Sequence, residues 1–125
     1  MLKHIRILAG LVFLLALTTG AGLAQDIERS TWLASYWNNT NLSGEPVLRR
    51  EEASVDYNWG ADAPASGVNP DDFSARWQRY LAVEPGVYRF FATSDDGIRV
   101  WIDGELIIDQ WYDHSVLTVT ADKTL

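Results

Sequence analysis

A chain of 125 residues allows one domain with a single modest core. Its 47% hydrophobic content is that of a globular protein, and its formal net charge of −7 argues against nucleic acid or an anionic membrane surface as partner, since both call for basic patches. With no cysteine, it is also excluded from disulfide bonding, thiolate catalysis and cysteine-based metal binding.

Residues 1–24 read as a signal peptide that precedes the fold. Lys3, His4 and Arg6 make a short basic start, an apolar run to Leu17 follows, and Gly22-Leu23-Ala24 offers a small-residue cleavage site before Gln25. This leader, expected to be helical, is short for a membrane span, so the membrane is met only through it and only before cleavage. Losing Lys3 and Arg6 leaves 8 basic against 17 acidic residues, a net charge of about −9. The expected product is secreted or held at the cell surface.

From Thr31 the chain alternates with period two. Trp32, Ala34 and Tyr36 take one side of a first strand, and Leu33, Ser35 and Trp37 the other. Residues 38–45 form a turn-rich loop. Two acceptor patterns for N-glycosylation, Asn38-Asn39-Thr40 and Asn41-Leu42-Ser43, fall in it, and such matches are cheap in a stretch this rich in Asn. Arg49-Arg50-Glu51-Glu52 reads as a solvated, self-neutralising surface run. Val55, Tyr57 and Trp59 alternate with Asp56 and Asn58 as a further strand, and residues 60–72, with Pro64, Gly67 and Pro70, form a long irregular loop. Residues 73–83 alternate again, with Phe73, Ala75, Trp77, Arg79 and Leu81 on one side. Glu84-Pro85-Gly86 supplies a tight turn, and residues 87–93 return with Tyr88, Phe90 and Ala92 on one face. No helical period appears after the leader. The fold class is all-β, an antiparallel β-sandwich or barrel.

The densest signal follows. Ile98, Val100 and Ile102 alternate with Arg99, Trp101 and Asp103, Asp103-Gly104 supplies a pair tolerant of positive φ, and residues 105–109 return as the second arm of a hairpin. Ahead of it stand Asp95 and Asp96. On an ordinary strand these neighbours point to opposite faces, so sharing a ligand demands a non-strand backbone, a freedom that Gly97 provides. A polar turn between two strands uses the same residues. Most of the six Trp and five Tyr are expected in the core. Trp111, just past the hairpin and followed by Tyr112-Asp113-His114, is the best-placed ring to stack on a sugar, with core packing as the alternative, while His114 is expected to make a structural hydrogen bond.

Ser94-Asp95-Asp96-Gly97-Ile98-Arg99-Val100-Trp101-Ile102-Asp103-Gly104 closely resembles the signature of the PA-fourteen domain, the lectin-like β-sandwich module of protective-antigen type. The resemblance continues through Tyr36-Trp37-Asn38-Asn39, Leu42-Ser43-Gly44-Glu45-Pro46-Val47, Asp56-Tyr57-Asn58-Trp59-Gly60 and Phe73-Ser74-Ala75-Arg76-Trp77, and so covers most of residues 32–125. It implies a PA-fourteen-like β-sandwich over residues 25–125. It also implies calcium (Ca2+) held by Asp95 and Asp96 across a cis peptide, with a sugar held there; Gly97, which permits the turn, and Trp111, as the stacking ring, complete the expected ligand-binding set. Asp109 or Asp113 is expected to add an oxygen. The implied function is an exported carbohydrate-binding module of a bacterial-type surface or secreted protein, calcium-dependent, with a glycan or cell-wall polysaccharide as partner. The alternatives are a non-binding spacer and an accessory fragment of a secreted glycoside hydrolase. The chain itself is not expected to be an enzyme. Glycoside hydrolysis needs two carboxylates at least about 5 Å apart astride the bond, which an adjacent pair does not offer, and no nucleophile elbow, phosphate loop or HExxH motif is present. Residues 115–121 read as one more strand. Family members continue through further strands, so the domain is expected to be incomplete at its C-terminus.

Overall fold

The alternating stretches become strands wherever a neighbour is available to take their backbone hydrogen bonds. The computed structural model describes residues 30–125; the predicted leader, its helix and its cleavage site lie outside them. Within the described residues the strands are β1 Trp32–Trp37, β2 Leu48–Glu52, β3 Ser74–Tyr80, β4 Val87–Ser94, β5 Ile98–Ile102, β6 Glu105–Gln110 and β7 Leu117–Thr124. None of these residues is helical. β1 lies between β2 and β3 and is antiparallel to both, and β5 and β6 pair antiparallel as a hairpin. The second sheet holds β4 paired antiparallel with β7. The expected all-β antiparallel architecture is the one observed.

The inward faces match the sequence pattern closely. Ala34 and Tyr36 of β1, Ala75 and Trp77 of β3, and Ile98, Val100 and Ile102 of β5 meet Tyr88, Phe90 and Ala92 of β4 in one core. At the hairpin tip, Asp103 and Gly104 both have positive φ (51° and 78°), the combination whose twist suits two-residue hairpins.

Two expectations are corrected. Residues 55–59 are not a strand: they form no ladder with a neighbouring strand, and only Asp56 makes an isolated bridge. Rings hold this segment in place. Tyr57 and Trp59 stack at 5.1 Å, Trp59 lies parallel to Trp77 at 6.3 Å, and Phe73 meets Trp59 edge-on at 5.5 Å. The Arg49–Glu52 run, read as solvated, lies instead on β2, where alternation turns Glu52 inward to 6% exposure.

A carboxylate so deeply placed survives only if its oxygens are filled. Tyr36 Oη donates to Glu52 Oε1 at 2.7 Å, Arg50 Nε donates to the same oxygen at 2.6 Å, and Trp77 Nε1 donates to Oε2 at 2.6 Å. Burial pushes the Glu52 carboxyl up, but hydrogen bonds from Trp77, Tyr36, Arg50 and Tyr57 outweigh it and hold the group below its ordinary value. Burial, then the bond to Glu52, pushes the Tyr57 hydroxyl up to about 12 and the Tyr36 hydroxyl up as well.

Glu52→Gln is therefore expected to cost about 3 kcal/mol in urea unfolding at neutral pH, the scale of breaking a buried charged network. Because the folded carboxyl sits below its ordinary value of 4.5, its stabilisation is complete above about that pH and is lost as pH falls through the lower folded value. The gap between parent and variant should accordingly shrink on acidification below about pH 4.5. A gap that stays constant with pH contradicts this role.

Candidate functional site

The cavity lies where β4 hands over to β5. β4 ends on Ser94, which is 4% exposed, and the peptide that follows, Asp95–Asp96, is cis. Both aspartates are exposed. The His114 backbone N–H donates to Asp96 Oδ1 at 3.2 Å, tying the pair to the loop after β6. The His114 ring faces away from this work, with Nδ1 donating to the Ser115 carbonyl at 2.8 Å.

Gly97 matters here for a different reason from the one expected. Its φ lies outside the left-handed region, and what demands glycine is close approach of the neighbouring backbone. A Cβ at this position would meet Tyr112 N at 3.1 Å, Gln110 O at 3.2 Å and Trp111 Cα at 3.3 Å. The loop after β6 therefore lies directly against the aspartate turn. That contact carries Trp111 to the cavity, where the Arg99 guanidinium sits 5.4 Å from its ring centroid.

Asp95, Asp96, Gly97 and Trp111, the four residues singled out in the sequence, line one cavity of about 750 Å³. Asp113 lines it too, whereas Asp109 is held elsewhere by Arg99 Nε at 2.7 Å. The cavity has a second wall that sequence reasoning missed. It is made by Tyr57 and Trp59, and by Asp62, Asp71, Asp72 and Phe73 from the long loop. Three further aspartates, Asp62, Asp71 and Asp72, thus share the cavity with the adjacent pair and Asp113.

Side chains from loop 38–43 hold this wall in place. Asn38 Oδ1 accepts from the Asn69 N–H at 2.8 Å and Asn38 Nδ2 donates to the Gly67 carbonyl at 3.1 Å. Ser74 Oγ donates to the Asn39 carbonyl at 2.6 Å and accepts from the Leu42 N–H at 3.0 Å. Asn38, the acceptor of the first glycosylation pattern, and Asn39 beside it are thus engaged in hydrogen bonds of the loop; Asn39 Oδ1 accepts from the Asn41 and Ser43 N–H groups.

Among the described residues, the ionisable side chains that line the cavity offer oxygen donors, and no thiolate or imidazole is among them. That donor set suits a hard cation such as calcium, which takes 6–8 oxygens. Among the described residues no three His, Cys, Asp or Glu side chains gather closely enough to hold a metal by themselves. An ion held by Asp95 and Asp96 would therefore keep coordination positions for water or for ligand hydroxyls.

The family model described as PA14 domain matches residues 28–124. Over 100 residues the chain is 34% identical to the Anti-sigma-I factor RsgI3 of Acetivibrio thermocellus; the alignment takes in 78% of this chain and 14% of that protein, so the chain spans a small part of its relative. No solved structure matches the chain.

The close approach at Gly97 gives a direct test. Gly97→Ala is expected to lower stability by about 1–3 kcal/mol, the usual cost of forcing a methyl group into packed backbone, as read from chemical denaturation. An unchanged midpoint contradicts the tight contact between the aspartate turn and residues 110–112.

Proposed function

The chain belongs to the PA14 domain family, a family of lectin-like β-sandwich modules, and on that premise we propose that it is an exported carbohydrate-binding module whose ligand is held with calcium at Asp95 and Asp96. The observation that carries this reading is convergence. Two adjacent carboxylates, a glycine that lets the next loop close on them, and a partly exposed Trp111 ring all meet at one cavity. A volume of about 750 Å³ falls within the size range of small-molecule sites.

The chemistry follows from the two kinds of surface. A pyranose has polar hydroxyls around its edge and apolar C–H faces. Aromatic rings supply contact area for those faces at little entropic cost. Calcium, when bound, supplies charge and open coordination positions suited to vicinal hydroxyls. Asp96 is oriented by the His114 backbone N–H, so one of its oxygens is already placed. Trp111 is held from one side by Arg99, which is itself fixed by Asp109. Binding proceeds without turnover in this reading. PA14 domains occur in extracellular and cell-surface proteins, which agrees with an exported product. The partner is then a glycan or cell-wall polysaccharide met outside the membrane.

The test is calorimetric titration of calcium, followed by glycan binding in calcium and in chelator. Calcium should release or absorb heat on binding and raise the melting temperature of the parent protein. Asp95→Asn and Asp96→Asn should each lose that response while remaining folded. Trp111→Ala should keep the calcium response and weaken glycan binding about tenfold or more, the loss expected for one stacked ring. A parent protein whose melting temperature ignores calcium, or a glycan retained equally in chelator, contradicts the calcium-dependent reading. Release of new reducing ends from a bound oligosaccharide contradicts the absence of turnover.

A further inference from the structure

We propose that the cavity holds a second sugar-binding subsite, an aromatic platform of Tyr57 and Trp59, so that its ligand is an oligosaccharide of at least two pyranose units. The inference rests on the carbohydrate-binding reading and extends the ligand of that same cavity. It starts from the rings. Tyr57 and Trp59 are both half-buried, and both line the cavity. Their planes lie within 9° of each other at 5.1 Å, and they lie within 18° and 12° of the Trp77 plane.

Packing explains why these rings are fixed, not why part of each is left uncovered inside a concave site. Trp77 behind them is 1% exposed, and its indole N–H donates to Glu52 Oε2 at 2.6 Å. Phe73 meets Trp59 edge-on at 5.5 Å, and Tyr36 does so at 6.5 Å. Neither ring of the platform turns without disturbing the core, so little is left to order when a ligand settles on it. Polar groups accompany the rings. Asn58, exposed and between them in sequence, lines the cavity. The Asp62 N–H donates to the Trp59 carbonyl at 2.9 Å, which ties this cavity-lining residue to the platform. A purely apolar ligand on these rings would strip water from such groups and leave them without partners. A pyranose offers a C–H face to the rings and hydroxyls to the polar groups.

A second unit is called for because the platform is separate from Trp111. Among the described residues, the rings that meet Trp59 are Tyr36, Tyr57, Phe73 and Trp77, whereas Trp111 is met by the Arg99 guanidinium. Each aromatic surface lies on its own segment of chain, with Asp62 near one and Asp95 and Asp96 near the other. A sugar held through its hydroxyls at Asp95 and Asp96 and stacked on Trp111 occupies the first surface, and the next unit of the same glycan reaches the second. The cavity volume of about 750 Å³ lies in the upper part of the range for small-molecule sites, which suits more than one ring.

The test is calorimetric titration of the secreted protein in calcium with chain-length series, from monosaccharide to tetramer, of β-1,4-linked glucose, mannose and galactose. In a series that binds, affinity should rise about tenfold or more from monosaccharide to trimer, the yield of a further stacked ring. Trp59→Ala should remove that rise and leave the affinity for the monosaccharide unchanged. Because Trp59 also packs on the core, the parent protein supplies a readout that needs no variant: its Trp59 indole N–H resonance should shift on addition of the trimer. A monosaccharide bound as tightly as its trimer, a Trp59→Ala protein that keeps the rise, or a Trp59 signal unmoved by a bound trimer overturns the second subsite and leaves the carbohydrate reading standing. Binding by no member of any series contradicts both.

Discussion

The Glu52 carboxylate is the constraint on which the other features depend. It lies on the inward face of β2, reaches across β1 to Tyr36, and reaches Trp77 on β3. A buried charge of this kind costs several kcal/mol unless every lone pair finds a donor. Its donors lie on its own strand, Arg50, and on the two neighbouring strands, Tyr36 of β1 and Trp77 of β3. That last link has the widest reach. Residues 55–59 form no ladder beyond the single bridge at Asp56, so their position relies on the stack of Tyr57 and Trp59 on Trp77. One wall of the cavity is thereby fixed from inside the core.

The other wall is fixed by backbone proximity. Gly97 allows residues 110–112 to lie against the aspartate turn, and the His114 N–H closes the same contact from the other side of Asp96. The two walls are built by different means, packing and polar anchoring for one and close backbone approach for the other. Both are tied to strands, β3 for one and β5 for the other. The loops that carry the candidate chemistry are therefore held by a scaffold, as binding loops commonly are.

Local patterning made much of this legible in the sequence. The alternation of Ile98, Val100 and Ile102 and the Asp103-Gly104 turn specify the hairpin, and Tyr88, Phe90 and Ala92 specify the buried face of β4, because period two and turn chemistry are local properties. Asp95, Asp96, Gly97 and Trp111 came together because they flank one hairpin. Residues 55–59 were misread since alternation records only which side chains face inward and says nothing of whether a neighbouring strand pairs with them. Glu52 was misread for a related reason. A charged run looks solvated until its donors, Tyr36 and Trp77, are known to lie across the sheet. The long-loop wall was missed because Asp62, Asp71 and Asp72 are far in sequence from Asp95 and meet it only through the fold; the one signal available was the density of aspartate in a loop flanked by Trp59 and Phe73.

The central claim is that both walls of the cavity grip one ligand. It is tested most directly by the indole N–H resonances of the six tryptophans during titration of a bound oligosaccharide in calcium. Trp59 and Trp111 both line the cavity, from different segments of the chain, while Trp32 and Trp37 are buried against Arg79 and Arg76 and do not line it. The account predicts that the Trp59 and Trp111 signals shift together along one binding curve while those of Trp32 and Trp37 stay in place. Movement of Trp32 or Trp37 alone, or of Trp111 without Trp59, contradicts it.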